Sequence, residues 1–147
     1  RHMFCFLFLF SVGFFRIFVF LFIRACFAAM KVVRQNGLEG ARIQSVSNVA
    51  GISPGALYRY FESKDQLLIE SFVYVDKRAA AIFDHVKFDP KEVITDPMGA
   101  VKSLWQPYFR FWVAHPDETI FYHRFRDSAF FPKFDKCRDG GKSPPHY

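Results

Sequence analysis

The sequence predicts an all-α chain, with a three-helix unit built around a glycine turn followed by a second helical domain. Three observations carry this. Apolar residues recur at steps of three and four along most of the 147 residues. Cap residues and Gly or Pro punctuate those stretches where helices should start and stop. The composition, 51% hydrophobic and 23% charged, suits a packed core rather than a disordered chain. The length is that of one domain, or of one small domain with part of another. The formal net charge of +6 permits a polyanionic partner without establishing one.

The first segment stands apart. Nine of the 21 Phe fall between Phe4 and Phe22, and Met3 to Ile23 carries a single charge, Arg16. Three readings are open for residues 1–23. A span of about 20 apolar residues matches a membrane anchor, although Arg16 at mid-bilayer would cost roughly 2.5–3.5 kcal/mol. The same residues suit an extra helix packed on a partner. They also suit a non-native leader, because Arg1-His2 before Met3 resembles a cloning remnant and A/T-rich DNA read out of frame encodes Phe, Leu and Ile. No small-x-small cleavage site supports a secretory signal.

From Arg24 the pattern is that of a soluble amphipathic helix. Cys26, Ala29, Met30 and Val33 share one face, with Arg24, Lys31 and Arg34 off it. Asn36-Gly37 is the expected stop. A short second helix fits Ile43 to Ala50 and ends at Gly51. Ser53-Pro54 is an N-cap and first-turn signal for a third helix, with Leu57 and Phe61 inward and Tyr58, Arg59 and Tyr60 outward. Ser63 with Gln66 forms a capping box for a fourth. The spacing of Leu68, Phe72, Val75, Ala79, Ile82 and Val86 predicts that this helix runs about 24 residues, or about 36 Å. Since residues 24–86 contain both ends of every helix they need, Met3 to Ile23 should be dispensable for folding of this unit.

Two short helices across a glycine turn with a longer support helix is the organisation of a helix-turn-helix DNA reader. The run from Gly37 to Leu68, and above all the G-hydrophobic-S-x-G-x-L-Y-x-Y-F-x-S-K string from Gly51 to Lys64, resembles the N-terminal domain of TetR-family transcriptional repressors. The resemblance covers residues 24–72, about a third of the chain. It implies that Ser53 to Tyr60 form the recognition helix and the turn into it. Pro54, Gly55 and Ala56 would then face base edges, Tyr58, Arg59 and Tyr60 would touch phosphates or bases, and Gln44 and Lys64 would contact the phosphate backbone. Independently, a guanidinium such as that of Arg59 suits guanine, and Tyr hydroxyls and Lys64 suit phosphates. The chain departs from the family pattern in three places. Ala41 stands where a capping Thr or Ser is usual, with Arg42 beside it able to contact phosphate instead. Ser47 replaces a small Ala. The Phe-rich segment occupies the place of a basic arm.

The second half holds a loop expected over Lys87 to Thr95 and then an Asp96-Pro97 start signal. A helix follows through Trp112, with Pro107 inside it expected to kink it. His115-Pro116 ends that helix, and another is expected from Asp117 to Asp127. Trp105, Tyr108, Phe109, Trp112, Phe121, Tyr122 and Phe125 form an aromatic cluster suited to a small apolar or aromatic ligand, or to a filled core. The resemblance implies a ligand-binding and dimerisation domain over residues 71–131, shortened because the two final helices that family members use to dimerise are not seen. Residues 132–147 read as a polar tail. Dimerisation matters because paired reading heads must reach half-sites about 34–36 Å apart.

No catalytic motif is present, and the three Cys and five His form no ligand set for a metal. The expectation is therefore a cytoplasmic, homodimeric, non-enzymatic regulator without cofactor. It would bind double-stranded operator DNA over residues 24–70 and release it on binding a small ligand. The alternative is a membrane-anchored helical protein using residues 3–23.

Overall fold

The computed structural model describes residues 2–86 and 89–132, with side chains from residue 16 onward, and all its regular elements are helical. They are α1 (His2–Gly40), α2 (Ile43–Ala50), α3 (Pro54–Leu57), α4 (Lys64–Ala80), α5 (Pro90–Thr95), α6 (Pro97–Ala114) and α7 (Pro116–Arg126), with a 3-10 turn at Phe83–His85. The chain divides into two units, residues 1–68 and 69–147.

In the first unit α1 continues without a break through Arg24, so the Phe-rich segment and the expected first helix are one element. Its regular path ends at Gly37, whose φ of 73° is the left-handed geometry a glycine adopts without strain. The face at Cys26, Ala29, Met30 and Val33 is fully buried, and Ala25, Ala28 and Val32 widen it. It packs with Val46, Ala50, Leu57, Phe61, Leu67 and Leu68 in one core. Truncating a fully buried Leu such as Leu57 to Ala costs about 2–5 kcal/mol in such a setting.

One expectation about this unit is corrected. The core does not draw all its partners from downstream of residue 23. Phe22 stacks on Phe61 with ring centroids 5.3 Å apart, and Phe18 lies 4.6 Å from Tyr60. The apolar stripe of α1 simply extends backwards by whole helical steps. Among the described residues no helix is long and apolar enough to cross a membrane. Most of the Met3–Ile23 span lies outside the residues whose side chains are described.

In the second unit Phe72 of α4 stacks on Phe125 and Tyr122 of α7 at 4.6 and 5.0 Å, and meets Phe131 edge-on at 5.8 Å. Val75, Ala79, Phe121 and Phe130 complete the apolar interior. The side chain of Glu118 is 3% exposed, and both its carboxylate oxygens accept from Nη1 of Arg78 at 2.6 Å. The Arg78 guanidinium also lies over the Phe111 and Tyr74 rings. A buried carboxylate is tolerated because it is paired.

Two sequence expectations change here. α4 has 17 residues, about 26 Å of helix, rather than about 24 residues. Beyond Ala80 the backbone tightens to three-residue bonds, as from His85 N–H to the Ile82 carbonyl, and Phe83 packs on Trp105 and Tyr108. The expected loop over 87–95 contains α5. Asp89 accepts from the Lys91 N–H at 2.9 Å and Pro90 fills the first turn, the same start signal that Asp96-Pro97 gives α6. Pro107 lies inside α6, where the sequence places it, and has no N–H to offer the Ser103 carbonyl. The polar tail, beyond Pro132, lies outside the described residues.

Candidate nucleic-acid interface

The geometry of the first unit is set by local chemistry. Gly51 closes α2 at φ 64° and its N–H reaches the Ser47 carbonyl. The buried Ser47 hydroxyl donates to the Ile52 carbonyl at 2.5 Å, stapling α2 to the turn that follows. This explains why a Ser is accommodated where a small apolar residue would pack. Ser53 then caps α3, its Oγ accepting the Ala56 N–H at 3.2 Å, with Pro54 in the first turn. Leu57 and Phe61 are driven inward. Tyr58 and Arg59 between them are thereby turned to the outside.

The singled-out residues fall as follows. Gly55 is exposed, and a Cβ added there would meet nothing within 4 Å. Pro54 and Ala56 are partly exposed and flank it. Tyr58 is 56% exposed and Arg59 is exposed one residue on. Tyr60 is half-buried, its ring against Phe18, so it is less outward than its spacing predicts. Arg42 is exposed in extended backbone as the N-cap of α2, with no side-chain cap, so the capping position is Arg42 rather than the expected Ala41. Gln44 is exposed and its amide donates to Asn48 Oδ1 at 3.1 Å. Lys64 is half-buried and its ammonium donates to the Leu38 carbonyl at 3.4 Å. An ammonium has three donors, so this one bond does not exhaust it.

Gln66 completes the start of α4 with a variation on the expected box. Ser63 Oγ accepts from the Gln66 N–H at 3.1 Å, but Gln66 Oε1 reaches back to the Glu62 N–H, not to that of Ser63.

The aromatic residues of the second unit separate into two groups. Phe121 and Phe125 are fully buried and pack on each other and on Phe72. Tyr122 joins that stack, and its hydroxyl donates to Asp76 Oδ1 at 3.2 Å. Burial raises the Tyr122 pKa above its ordinary value, and the negative charge and hydrogen bond of Asp76 add to the rise. Trp105 and Phe109 instead face outward from α6. With Val101, Lys102, Gln106, Arg110 and Val113 they line an open, apolar groove of about 1020 Å³. Tyr108 and Trp112 are half-buried between the two groups, 5.8 Å apart. Sequence reasoning missed the Ser47 staple, the Phe18 and Phe22 contacts and the Arg78–Glu118 pair. Only the second had a readable signal, in the four-residue steps that lead from Phe18 through Phe22 to Cys26.

Residues 27–70 match the family model described as bacterial regulatory proteins, tetR family. The chain is 30% identical over 90 residues to the HTH-type transcriptional repressor NicS of Pseudomonas putida, covering 61% of this chain and 41% of that protein. It is 28% identical over 68 residues to the fatty acid metabolism regulator protein of Bacillus subtilis, covering 46% of this chain and 34% of that one. A solved tetR family transcription regulator from Marinobacter aquaeolei superposes with a TM-score of 0.67 at 25% identity, over 83% of this chain and 62% of its own. The chain thus spans less than half the length of these two curated relatives.

Proposed function

We propose that this chain, whose residues 27–70 belong to the tetR family of bacterial regulatory proteins, is a transcriptional repressor that binds operator DNA through α2, α3 and the start of α4. The observation that carries the reading is the outer side of α3. Three small residues, Pro54, Gly55 and Ala56, leave its first turn unobstructed, with Tyr58 and Arg59 exposed immediately after. A helix with such an end can approach base edges closely, while Arg42, Gln44 and Lys64 supply donors for the flanking phosphates.

The protein works as a cytoplasmic homodimer, so that two copies of α3 reach half-sites one helical turn apart. A small apolar or aromatic ligand in the second unit shifts the population between two spacings of the reading heads and releases the operator. Trp105 and Phe109, which line the groove, are the aromatic residues best placed to touch it, since Phe121 and Phe125 are committed to packing and Tyr108 and Trp112 are half-buried. The test is fluorescence anisotropy on duplexes selected from a random-sequence library, at several salt concentrations. Arg59→Ala is expected to weaken the selected site by about 1–3 kcal/mol, and Lys64→Ala to weaken all duplexes and flatten the salt slope by about one. Parent-like binding by both variants would show that the interface lies elsewhere.

A further inference from the structure

One cation outside the helix-turn-helix is brought to its turn. Arg24 lies on α1, yet its guanidinium reaches the glycine between α2 and α3, with Nη2 3.0 Å from where a Cβ on Gly51 would sit. Gly51 is favoured there by its left-handed φ of 64°, and the guanidinium lies over the open side of that glycine. Arg24 is exposed, and among the described residues it makes no hydrogen bond or ion pair. Gly51 precedes Ser53, Pro54 and Gly55 by two to four residues, so the charge stands at the rim of the surface assigned to DNA.

We propose that Arg24 contacts a phosphate of the duplex backbone and so supplies a cation from within α1, next to the Phe-rich residues that precede it. The inference rests on the operator-binding reading and extends it to a residue outside α2, α3 and α4. The chemistry is that of a guanidinium with its planar set of N–H donors against a phosphodiester oxygen, a contact that positions the protein without reading sequence. The competing role is structural. Arg24 also lies at the carbonyl end of α2, which has no basic residue in its last turn, and a cation there eases the helix dipole. The two roles have different readouts, because a dipole contact acts on folding and a phosphate contact releases a counterion from DNA.

The experiment compares parent, Arg24→Gln, Arg24→Lys and Arg59→Ala on a labelled mixed-sequence duplex across a range of salt, with thermal melts of each protein. One phosphate contact contributes about 0.9 to the slope of log K against log salt, so a fourfold rise in salt should cost Arg24→Gln about 3.5-fold less affinity than it costs the parent. Arg24→Lys should keep the parent slope, and melting should be the same for all three. A parent slope in Arg24→Gln overturns the proposal, and a lowered melting temperature alongside it assigns Arg24 to the α2 terminus. If the parent itself shows no salt-dependent binding to duplex DNA, the operator-binding reading fails and this inference with it. Binding by the parent with weakening by Arg59→Ala alone removes only the inference.

Discussion

Replacing Gly55 with Ala separates fold from function, because the two should respond in opposite directions. Gly55 lies in α3 with a negative φ, so a side chain is not strained there. A Cβ meets nothing within 4 Å, so no neighbour has to move. Ala in place of an exposed helical Gly stabilises by about 0.5–1 kcal/mol, since less backbone entropy is lost on folding. The lower end applies here, as α3 has only four residues. The added methyl points outward beside Pro54 and Ala56, where the proposed interface needs close approach. A mis-set base contact costs about 1–3 kcal/mol, so Gly55→Ala should weaken operator binding several-fold and Gly55→Leu should weaken it further. Urea denaturation and anisotropy on the same preparations give both numbers. If either variant binds the operator like the parent while folding normally, the small residues of α3 do not face the bases and the docking argument is refuted.

Arg78→Ala should cost about 3 kcal/mol by urea denaturation, the lower part of the 3–5 range for orphaning a buried charge, because Arg78 is itself 31% exposed. The double variant Arg78→Met, Glu118→Leu should recover most of that loss. Arg42→Ser places a capping hydroxyl at the uncapped start of α2 and should stabilise by about 1 kcal/mol, while lowering DNA affinity if Arg42 meets a phosphate. Burial raises the Glu70 pKa above its ordinary 4.5, with Lys77 opposing the rise. The native state therefore holds that proton more tightly than the unfolded chain, and stability should fall as pH climbs from 4.5 through the raised value. Glu70→Gln should flatten this limb of the stability curve and raise stability at neutral pH. Phe22→Ala should destabilise by about 2 kcal/mol, roughly half the value for a fully buried Phe. A deletion of residues 1–22 that melts like the parent would show that the Phe61 stack contributes nothing.

The helix-turn-helix was legible because its signals are local. Ser53-Pro54, Gly51 and Ser63 act on backbone groups within four residues, and each cap is found where the sequence places it. The same local logic would have found α5, since Asp89-Pro90 repeats Asp96-Pro97. The charges around it weighed towards a loop. The shift in composition at Arg24 suggested a boundary where the helical period has none. Phe18 and Phe22 lie on the stripe that continues into Cys26 and Ala29, and the rings of Phe22 and Phe61 meet across it.

What stayed unreadable depends on contacts between distant residues. The end of α4 is one case. Ile82 and Val86 keep the period, yet the chain turns at Ala80 because Phe83 finds Trp105 and Tyr108. Glu118 is another, since a carboxylate in a first helical turn reads as a solvated charge until Arg78, 40 residues away, is seen to hold it. The aromatic pairs make the limit plainest. Trp105 and Phe109 on α6, and Phe121 and Phe125 on α7, have the same four-residue spacing. The first pair is 43% and 62% exposed and the second fully buried. Periodicity states that a helix has an apolar face, but not what covers it. For α7 the cover is Phe72 and Phe130, contributed from both sides in sequence. Among the described residues the aromatic cluster was thus one object in composition and two in space, a packed core and an open groove.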